Sequence, residues 1–481
     1  MADQFDVVVV GGGPGGYVTA LKLAIRGRSV AVVEREKLGG ACLHRGCIPT
    51  KIYLESAGLY ERVRHGADLG VKATGVKLDF GAIASRRDKI VAANASGIAS
   101  HFRAHGVTSV PGTARLAGDM EVVVDGPEGQ RRLKARDILL ATGSTPRPLP
   151  GVAVDGERVV TSDQVTRWTA LPRSIVIVGA GAVGAEFASA LSDFGVETTL
   201  LEFLPRILPR EDVDLAEVVH RSLVRRGVTV LAGAKVLAET VRADRSGVRL
   251  EVEVGRDRKK LAADCLLVAT SRDPYVEGLG LETTRVKLER GAVTVDAAMQ
   301  TDEPHVYAIG DLIGRLMLAH VAHAEGEAAM ASILGQRPAA VDYNAMPRAT
   351  YTRPEVASIG LTEEEARAGV GTTPGREVSV GKFGFRANPR AMIQGESEGL
   401  VKIVADGRSG ELLGVHMAGP QVTELINESV LAKLLEATPE EIELSVHAHP
   451  TLSEAIWEAA ADVAGRSPHS PPRKRAPAAA R

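Results

Sequence analysis

The sequence has few cysteines, no long apolar run and almost no net charge. Three cysteines among 481 residues exclude a secreted scaffold held together by disulfides and favour a cytosolic protein. The 58 lysines and arginines nearly balance the 60 aspartates and glutamates, so nucleic acid is not expected as a main partner. No stretch has the ~18 uncharged apolar residues of a membrane helix, and the N-terminus has no basic segment typical of a targeting peptide. We therefore predict a cytoplasmic protein without a membrane anchor.

Glycine, in contrast, is abundant. The 51 glycines among 481 residues exceed the usual ~7% and follow no Gly-X-Y period, which indicates tight turns rather than a collagen-like chain. The length is sufficient for about three domains of ~150 residues. Hydrophobic residues make up 44% and charged residues 25%, as in ordinary globular proteins. A folded, multidomain chain is therefore expected.

A repeated motif is the strongest structural signal. Residues 5–10 and residues 174–178 are each predicted as a buried strand followed at once by G-x-G-x-x-G and a helix. Counted from the first glycine of each copy, the second and third glycines of the motif lie 2 and 5 positions later. A further glycine lies 16 positions later, and a glutamate, Glu34 or Glu202, lies 23 positions later. One such motif is weak evidence, but two matching copies predict two dinucleotide-binding units.

The spacing has a physical reason in each unit. The first glycine permits a tight turn, the second lets a pyrophosphate reach backbone N–H groups at the start of the helix, and the third lets helix and strand pack closely. The glutamate accepts hydrogen bonds from a ribose diol, and Glu202, with no arginine directly after it, favours NAD over NADP. Two ordinary glycine-rich turns are the alternative. Two different dinucleotides in one chain imply electron transfer between them.

A close cysteine pair carries the chemistry. Cys42 and Cys47 lie five positions apart, and in a regular helix their Cα atoms would be about 8.6 Å apart, beyond the ~7 Å that a disulfide allows. A bond between them requires a distorted turn, which Gly40 and Gly46 permit, and a short strained disulfide is easily reduced. A zinc site and two unrelated buried thiols are the alternatives. Zinc lacks further ligands, because Cys265 lies in a distant apolar strand predicted as core, so no metal site is predicted.

Residues 39–51 resemble the redox-active disulfide signature of the pyridine nucleotide-disulfide oxidoreductases. Within that family the chain is most similar to the dihydrolipoyl dehydrogenase branch, and the likeness extends from residue 5 to about residue 464. Residues 301–311 match the family's second FAD motif, and residues 447–454 match its C-terminal signature. The resemblance implies that FAD occupies the first dinucleotide site and NAD the second.

The resemblance also assigns the catalytic residues. Cys42 and Cys47 would form the redox-active disulfide, with Cys42 exchanging with substrate and Cys47 nearer the flavin. His449 would be the acid–base catalyst and Glu454 would orient it. Imidazole suits this task because its ordinary pKa of about 6.5 lets it exchange protons near neutrality. For His447 the structural role is preferred, since one base is sufficient.

The cofactor contacts implied by the resemblance form two sets. The FAD set comprises Gly11, Gly13, Pro14, Gly15, Gly16, Glu34, Arg35, Gly40, Ala41, Cys42, Lys51, Ala114, Ala141, Thr142, Gly143, Ser144, Asp311, Met317, Leu318, Ala319 and His320. The NAD set comprises Gly179, Gly181, Ala182, Val183, Gly184, Glu186, Glu202, Val236 and Ser271. Lys51 and Glu186 are expected to form an ion pair near the flavin.

Three positions depart from the family pattern. Ala41 replaces a common threonine, so one hydroxyl contact to the cofactor is in doubt. Ser271 and Tyr275 replace the usual glycine and asparagine, so packing on the nicotinamide side is expected to differ.

The predicted fold class is α/β, with two Rossmann-like dinucleotide-binding domains and a C-terminal α+β dimerisation domain. Repeated strands at 137–144 and 264–271, prolines after residue 145 and a change of texture near residue 344 suggest the boundaries. The predicted order begins with a first part of the FAD-binding domain at residues 1–148 and an NAD-binding domain at residues 149–275. A second FAD-binding or central part at 276–343, the dimerisation domain at 344–465 and a disordered basic tail at 466–481 follow.

The predicted function is oxidation of a dihydrolipoyl group on a lipoyl carrier domain, with reduction of NAD+ to NADH. The resemblance implies a homodimer, in which His449 serves the other subunit's disulfide, bound to the acyltransferase core of a 2-oxo acid dehydrogenase complex or to a glycine cleavage complex. The alternatives are a glutathione-type reductase, a diaphorase or oxidase without a thiol substrate, and a non-catalytic FAD-bound scaffold. A mercuric reductase would need a further cysteine pair near the C-terminus, which the sequence lacks.

Overall fold

The computed structural model describes residues 3–370, 375 and 377–470. These form two compact units. The first contains the described residues up to 53 together with 79–171 and 270–343, and the second contains 54–78, 172–269 and the described residues from 344 onward.

The first unit is built on a mostly parallel sheet. Its strands lie in the order Thr108–Pro111, Val30–Glu34, Asp3–Val10, Gly129–Leu140, Glu121–Gly126 and Thr113–Leu116, with Val306–Ala308 also pairing with Gly129–Leu140. The pairings among Thr108–Pro111, Val30–Glu34, Asp3–Val10, Gly129–Leu140 and Val306–Ala308 are parallel, and the other two are antiparallel. Val7, Val8 and Val9 are fully buried, as expected for a strand covered on both faces.

Helices and short elements complete the first unit. The helices are Pro14–Ile25, Gly40–Arg45, Cys47–Arg64, whose later part belongs to the second unit, Phe80–His105, Ser162–Val165 and Ala319–Ile333. The 3-10 turns are Leu281–Thr283 and Gly310–Ile313, and the short strands are Ser144–Pro146, Val159–Thr161, Arg272–Pro274, Leu288–Glu289 and Ala292–Val293.

The second unit contains a Rossmann-like sheet, a three-stranded antiparallel sheet and a five-stranded antiparallel sheet. Four parallel strands lie in the order Thr229–Ala232, Glu197–Glu202, Ser174–Val178 and Cys265–Val268, and a three-stranded meander comprises Ala234–Asp244, Gly247–Val254 and Asp257–Ala263. The C-terminal sheet has the order Arg348–Thr350, Glu355–Gly360, Leu412–Gly419, Leu400–Asp406 and Val378–Gly384. The helices are Ala182–Asp193, Val213–Arg225, Glu363–Arg367, Pro389–Gln394, Val422–Leu434, Pro439–Leu444 and Glu454–Val463. Short 3-10 turns lie at Gly66–Leu69, Tyr343–Ala345 and Phe385–Ala387. The predicted fold class is confirmed.

The predicted domain boundaries stay predictions. Residues 149–171 and 270–275 cluster with the first unit. The guanidinium of Arg87, on the helix Phe80–His105, donates to the carbonyl oxygens of Thr166 and Trp168, both at 2.9 Å. Strand Ser144–Pro146 pairs with Arg272–Pro274 in the same unit.

The prediction of a disordered tail from residue 466 is corrected for its first five residues. Arg466 forms an ion pair with Glu443, and Ser467 and His469 both hydrogen-bond to Glu458. Residues 471–481, which include the basic run, lie outside the described residues.

Within the ranges described, none of the helices combines the length and the apolar character that crossing a bilayer requires.

Candidate active site

The cysteine segment contains the distorted turn that its spacing requires. Helix Gly40–Arg45 ends at Gly46, whose backbone angles of φ −131° and ψ −111° are not helical, and a new helix begins at Cys47. A Cβ on Gly46 would lie 3.1 Å from the carbonyl oxygen of Ala41 and 3.3 Å from the Cα of Cys42, so a larger residue would crowd the turn. The break lets the two cysteine side chains meet.

Cys42 and Cys47 are half-buried thiols in hydrogen-bond contact rather than a disulfide in this structure. The hydrogen bond with Cys47 and burial raise the pKa of the Cys42 thiol, and the nearby positive charge of Lys51 opposes that rise. A dithiol is the two-electron-reduced form of a disulfide. The bond predicted between the two sulfurs stays a prediction.

Cys265 is buried within strand Cys265–Val268, as predicted for a core residue. In the described part of the chain, no group of three or more side chains that could hold a metal ion is found.

Polar contacts hold the cysteine segment in place. The Arg45 guanidinium pairs with the carboxylate of Glu36 and lies 3.3 Å from Asp163. His44 lies in the helix Gly40–Arg45, and its Nε2 is 2.9 Å from the carbonyl oxygen of Leu38. These contacts tie the segment to the rest of the first unit without using the cysteine side chains.

The glycine-rich turns have the geometry of phosphate-binding turns in both units. A Cβ on Gly16 would lie 2.0 Å from the carbonyl oxygen of Gly11, and one on Gly184 would lie 1.8 Å from that of Gly179, so both third positions require glycine. A Cβ at the second positions, Gly13 or Gly181, would meet no atom within 4 Å. The open space lies at the N-terminus of each helix, where an anion is stabilised.

The two glutamates after the second strands also occupy equivalent places. The Glu34 carboxylate accepts hydrogen bonds from the backbone N–H groups of Gly12 and Glu36, each at 2.8 Å. The Glu202 carboxylate accepts from Ala180 at 2.7 Å and from Leu204 at 2.9 Å. Each carboxylate is thus held at the first turn of its unit and keeps lone pairs for a ribose diol.

A cavity with about 420 Å³ of empty space, part of it open to solvent, lies beside Glu34 in the first unit. Its lining includes the predicted contacts Gly11, Glu34, Arg35, Ala114 and Thr142, together with Val10, Val33, Gly112, Thr113, Tyr275, Glu277 and Leu279. The carboxylates of Glu34 and Glu277 lie beside apolar side chains, including those of Val10, Val33 and Leu279, and this mixed lining fits the ribose and base of an adenosine. The residues present therefore fit the adenosine half of FAD.

Hydrogen bonds hold the predicted second FAD motif in place. Asp311, in the turn Gly310–Ile313, accepts a hydrogen bond from the Ser144 hydroxyl, and Arg272 donates to the same hydroxyl at 2.7 Å. The N–H of Gly310 donates to the fully buried Glu325 at 2.7 Å. Residues 317–319 are half-buried at the start of helix Ala319–Ile333, and His320 is exposed.

The C-terminal signature forms a histidine–carboxylate pair. His449 Nδ1 lies 2.8 Å from one oxygen of Glu454, whose other oxygen accepts from the N–H of Thr451 at 2.7 Å. Burial opposes ionisation of Glu454, but the bonds from Thr451 and His449 outweigh it and lower the pKa of the carboxyl. The carboxylate therefore holds Nδ1–H and directs Nε2 outward, on a side chain that is 70% exposed.

His447 has the structural role expected for it. Its Nε2 lies 2.9 Å from Glu428 and its Nδ1 lies 3.0 Å from the carbonyl oxygen of Ser445. The bond with Glu428 raises the pKa of His447, which both contacts hold in place.

The remaining residues of the predicted NAD set are spread over two regions. Ala182 and Val183 are exposed in the first turn of helix Ala182–Asp193, whereas Glu186 is buried and accepts from the N–H of Tyr351 at 2.9 Å. Val236 is half-buried in strand Ala234–Asp244. The ion pair between Lys51 and Glu186 stays a prediction.

Ser271 and Tyr275 lie in the first unit, not with the second nucleotide-binding region. Ser271 is exposed, and its carbonyl oxygen accepts from the N–H of Arg147 at 3.0 Å. Tyr275 lies in the wall of the cavity beside Glu34. The expectation that Ser271 and Tyr275 alter packing on the nicotinamide side stays a prediction.

Comparison with known proteins agrees with this geometry over almost the whole chain. Residues 5–326 match the family model described as pyridine nucleotide-disulphide oxidoreductase, and residues 346–460 match that family's dimerisation domain. The chain belongs to the pyridine nucleotide-disulphide oxidoreductase family.

Members of this family resemble the chain closely. Dihydrolipoyl dehydrogenase of Bacillus subtilis is 43% identical over 98% of this chain and 100% of its own length. Dihydrolipoyl dehydrogenase 3 of Pseudomonas aeruginosa is 42% identical over 97% of this chain and 99% of its own length. The crystal structure of LpdA from Mycobacterium tuberculosis has 30% sequence identity and a TM-score of 0.87, covering 95% of this chain and 99% of that one.

These matches confirm the resemblance seen in the sequence, including that to the dihydrolipoyl dehydrogenase branch. The chain is an NAD-dependent flavoprotein disulfide oxidoreductase whose cofactors are FAD and NAD(H).

Several residues in this family member escaped the sequence reasoning. Burial and the charge of Cys42 raise the pKa of the Tyr17 phenol. Arg272 Nε lies 4.0 Å from the carboxylate of Asp311, and Glu325 accepts from the N–H of Gly310, so both contact the predicted second FAD motif. The only sequence signal for these three residues was that each lies near a recognised motif. Their contacts join residues that are not neighbours along the chain, so no local pattern indicates them.

Proposed function

We propose that this chain is a dihydrolipoyl dehydrogenase, which transfers two electrons from a protein-bound dihydrolipoyl group to NAD+. One observation carries the proposal: two thiols in contact lie on a segment that abuts a dinucleotide turn. A Cβ on Gly40, two residues before Cys42, would lie 2.7 Å from the Cα of Gly13. The cysteine pair thus starts beside the place where a pyrophosphate approaches the backbone.

The first chemical step belongs to His449 and Cys42. Nε2 of His449 takes a proton from a substrate thiol, because the thiolate is the attacking species. That thiolate attacks Sγ of Cys42 in the oxidised pair, so a substrate–Cys42 disulfide forms and Cys47 leaves as a thiolate. The positive charge of Lys51 near Cys42 favours thiolate in the pair.

The second step releases the product. The other substrate thiol loses its proton and attacks the substrate sulfur bonded to Cys42, which gives the cyclic disulfide of the lipoyl group and returns Cys42 as a thiolate. Two electrons then reside in the cysteine pair, and two protons have left the substrate. Bound FAD supplies the route by which these electrons pass from the pair to NAD+.

The cofactors are assigned to the chain's own residues. The first glycine-rich turn, Glu34 and the cavity beside it would hold the adenosine and pyrophosphate of FAD, with Ser144 and Asp311 toward the flavin. The second turn and Glu202 would hold NAD. The geometry of both turns supports this assignment.

The protein partners form the finer part of the proposal. The match to the family's dimerisation domain supports a homodimer, in which His449 would act on the disulfide of the other subunit. The names of the dihydrolipoyl dehydrogenase relatives support a lipoyl carrier domain as the source of the thiols. Binding to the acyltransferase core of a 2-oxo acid dehydrogenase complex, or to a glycine cleavage complex, and a cytoplasmic location belong to the same proposal.

The decisive experiment is a steady-state assay of NAD+ reduction with dihydrolipoamide, with glutathione as the competing thiol. We expect NAD+ reduction with dihydrolipoamide and none with glutathione. The Cys42→Ser variant should lose the dihydrolipoamide activity and retain the flavin absorbance. A Cys42→Ser enzyme with full dihydrolipoamide activity would mean that the cysteine pair is not used. A flavin-containing protein that shows no long-wavelength absorbance band on two-electron reduction would favour the scaffold alternative.

A further inference from the structure

The wall of the cavity beside Glu34 contains an arginine stacked on a tyrosine. The guanidinium carbon of Arg35 lies 4.1 Å from the centre of the Tyr275 ring, and both residues line the cavity. At this distance the cation is attracted to the face of the ring.

Backbone contacts hold Tyr275 in position. Its N–H donates to the carbonyl oxygen of Gly143 at 2.9 Å, and its own carbonyl oxygen accepts from the Thr142 hydroxyl at 2.7 Å. Arg35 directly follows Glu34, whose carboxylate is held by Gly12, and its Nε lies 3.8 Å from Glu36. The stack is therefore set on fixed backbone on both sides.

The position of the cavity identifies the part of the cofactor that it would take. The cavity lies at Gly11 and Glu34, whereas the cysteine segment abuts the turn at Gly13. A flavin has to lie toward the cysteine pair in order to exchange electrons with it. The end at Glu34 is then left for the ribose and the purine.

We propose that the Arg35–Tyr275 stack is the outer wall of the adenine pocket and sets how tightly the chain holds the adenosine half of FAD. The inference rests on the cofactor assignment within the proposed function, and it adds a specificity-determining residue that the family pattern does not supply. A fixed aromatic ring and a cation are suited to a purine, because bases stack on aromatic and guanidinium planes.

The test compares ligands that contain or lack the adenosine half. Full-length enzyme is stripped of flavin and titrated with FAD, with ADP and with FMN. Loss of one base–aromatic contact weakens binding by about tenfold or more. We therefore expect Tyr275→Ala to weaken FAD and ADP by about tenfold and to leave FMN within about twofold.

Two further variants separate the ring from other effects. Tyr275→Phe keeps the ring and is expected to bind FAD and ADP as the wild type does, which also guards against a misfolded alanine variant. Tyr60 is the matched control, because Arg64 lies 5.4 Å from its ring centre in another part of the chain. Tyr60→Ala is expected to leave all three affinities unchanged.

The outcomes are distinct. The proposal is overturned if Tyr275→Ala leaves FAD and ADP affinity unchanged, if FMN weakens as much as FAD, or if Tyr275→Phe is as defective as Tyr275→Ala. A wild type that binds FAD and ADP but does not oxidise dihydrolipoamide contradicts the proposed function and leaves the adenine wall standing. A wild type that binds neither FAD nor ADP overturns both.

Discussion

A buried charge cluster in the second unit offers the sharpest test of the energetics. Lys402, on strand Leu400–Asp406, is 1% exposed, and its Nζ lies 2.8 Å from Asp212, 2.9 Å from Asp214 and 2.8 Å from Glu363. Burial opposes ionisation of these carboxyls, but hydrogen bonds from Lys402, together with one from Lys382 to Asp214, outweigh it and hold their pKa below the usual range. Lys402→Met removes the cation and leaves the carboxylates facing one another.

The expected loss of stability is large. Removing one partner of a buried ion pair costs about 3–5 kcal/mol, because the remaining charge is left uncompensated. At about 2–4 °C for each kcal/mol, the midpoint of thermal unfolding should fall by roughly 6–20 °C. Lys382→Met is the matched control, since Lys382 also contacts Asp214 but is 47% exposed, and an exposed pair contributes about 0–1 kcal/mol.

The pH dependence gives a second measurement of the same effect. In the wild type the lowered pKa values mean that the carboxylates stabilise the fold above pH ~4 and that this contribution is lost as the pH falls through their folded pKa values. In Lys402→Met the buried carboxyls resist ionisation, so protonation relieves their repulsion. The difference in melting temperature between variant and wild type should therefore be smaller at pH 5 than at pH 8. The melting temperatures are measured by calorimetry or circular dichroism. Equal melting temperatures for Lys402→Met and Lys382→Met would refute the reasoning.

Four further predictions follow from particular contacts. Gly184→Ala places a Cβ against the carbonyl oxygen of Gly179, so the KM for NAD+ should rise by more than about tenfold with the flavin absorbance unchanged; an unaltered KM would contradict the close packing. Glu202→Ala should reduce the preference for NADH over NADPH, measured as the ratio of kcat/KM values, because the carboxylate at the ribose repels a 2′-phosphate; an unchanged ratio would show that another group sets it. His449→Gln should lower kcat with dihydrolipoamide by about 10²–10⁴-fold, the usual contribution of a general base, while NADH-driven reduction of an artificial electron acceptor persists; equal loss of both activities would point to a structural role. Burial raises the pKa of Glu325 to about 7, so its protonated form stabilises the fold at low pH and this contribution is lost as the pH rises through 7. The melting temperature of Glu325→Gln, relative to that of the wild type, should therefore be higher at pH 8 than at pH 5. Parallel curves of melting temperature against pH for the two proteins would exclude this titration.

Local patterns proved sufficient for the parts of the site that are built from short segments. The G-x-G-x-x-G spacing predicts both dinucleotide turns, and the helices end as expected, with Gly27 and Gly195 in the left-handed region just beyond them. The five-residue spacing of the cysteines requires a break in the helix, which the structure has at Gly46. In each case the constraint acts between residues that are neighbours along the chain.

Contacts between distant segments were not predictable in the same way. The place of residues 149–171 in the first unit depends on hydrogen bonds from Arg87 to Thr166 and Trp168, about eighty positions away. The place of Tyr275 depends on Gly143, and that of Glu325 on Gly310 and Tyr343. No local sequence pattern around Arg87, Tyr275 or Glu325 indicates these bonds.

The amino-acid sequence by itself determined the two nucleotide turns, the helix break between Cys42 and Cys47 and the family to which the chain belongs, because glycine, cysteine and acid spacings restrict the backbone locally. Only the tertiary structure decided which unit the connecting segments join, that Tyr275 stacks on Arg35 and that Lys402 is surrounded by three carboxylates. Those features arise when chain segments far apart in sequence pack together, and burial then decides which charges and hydrogen bonds must be paired.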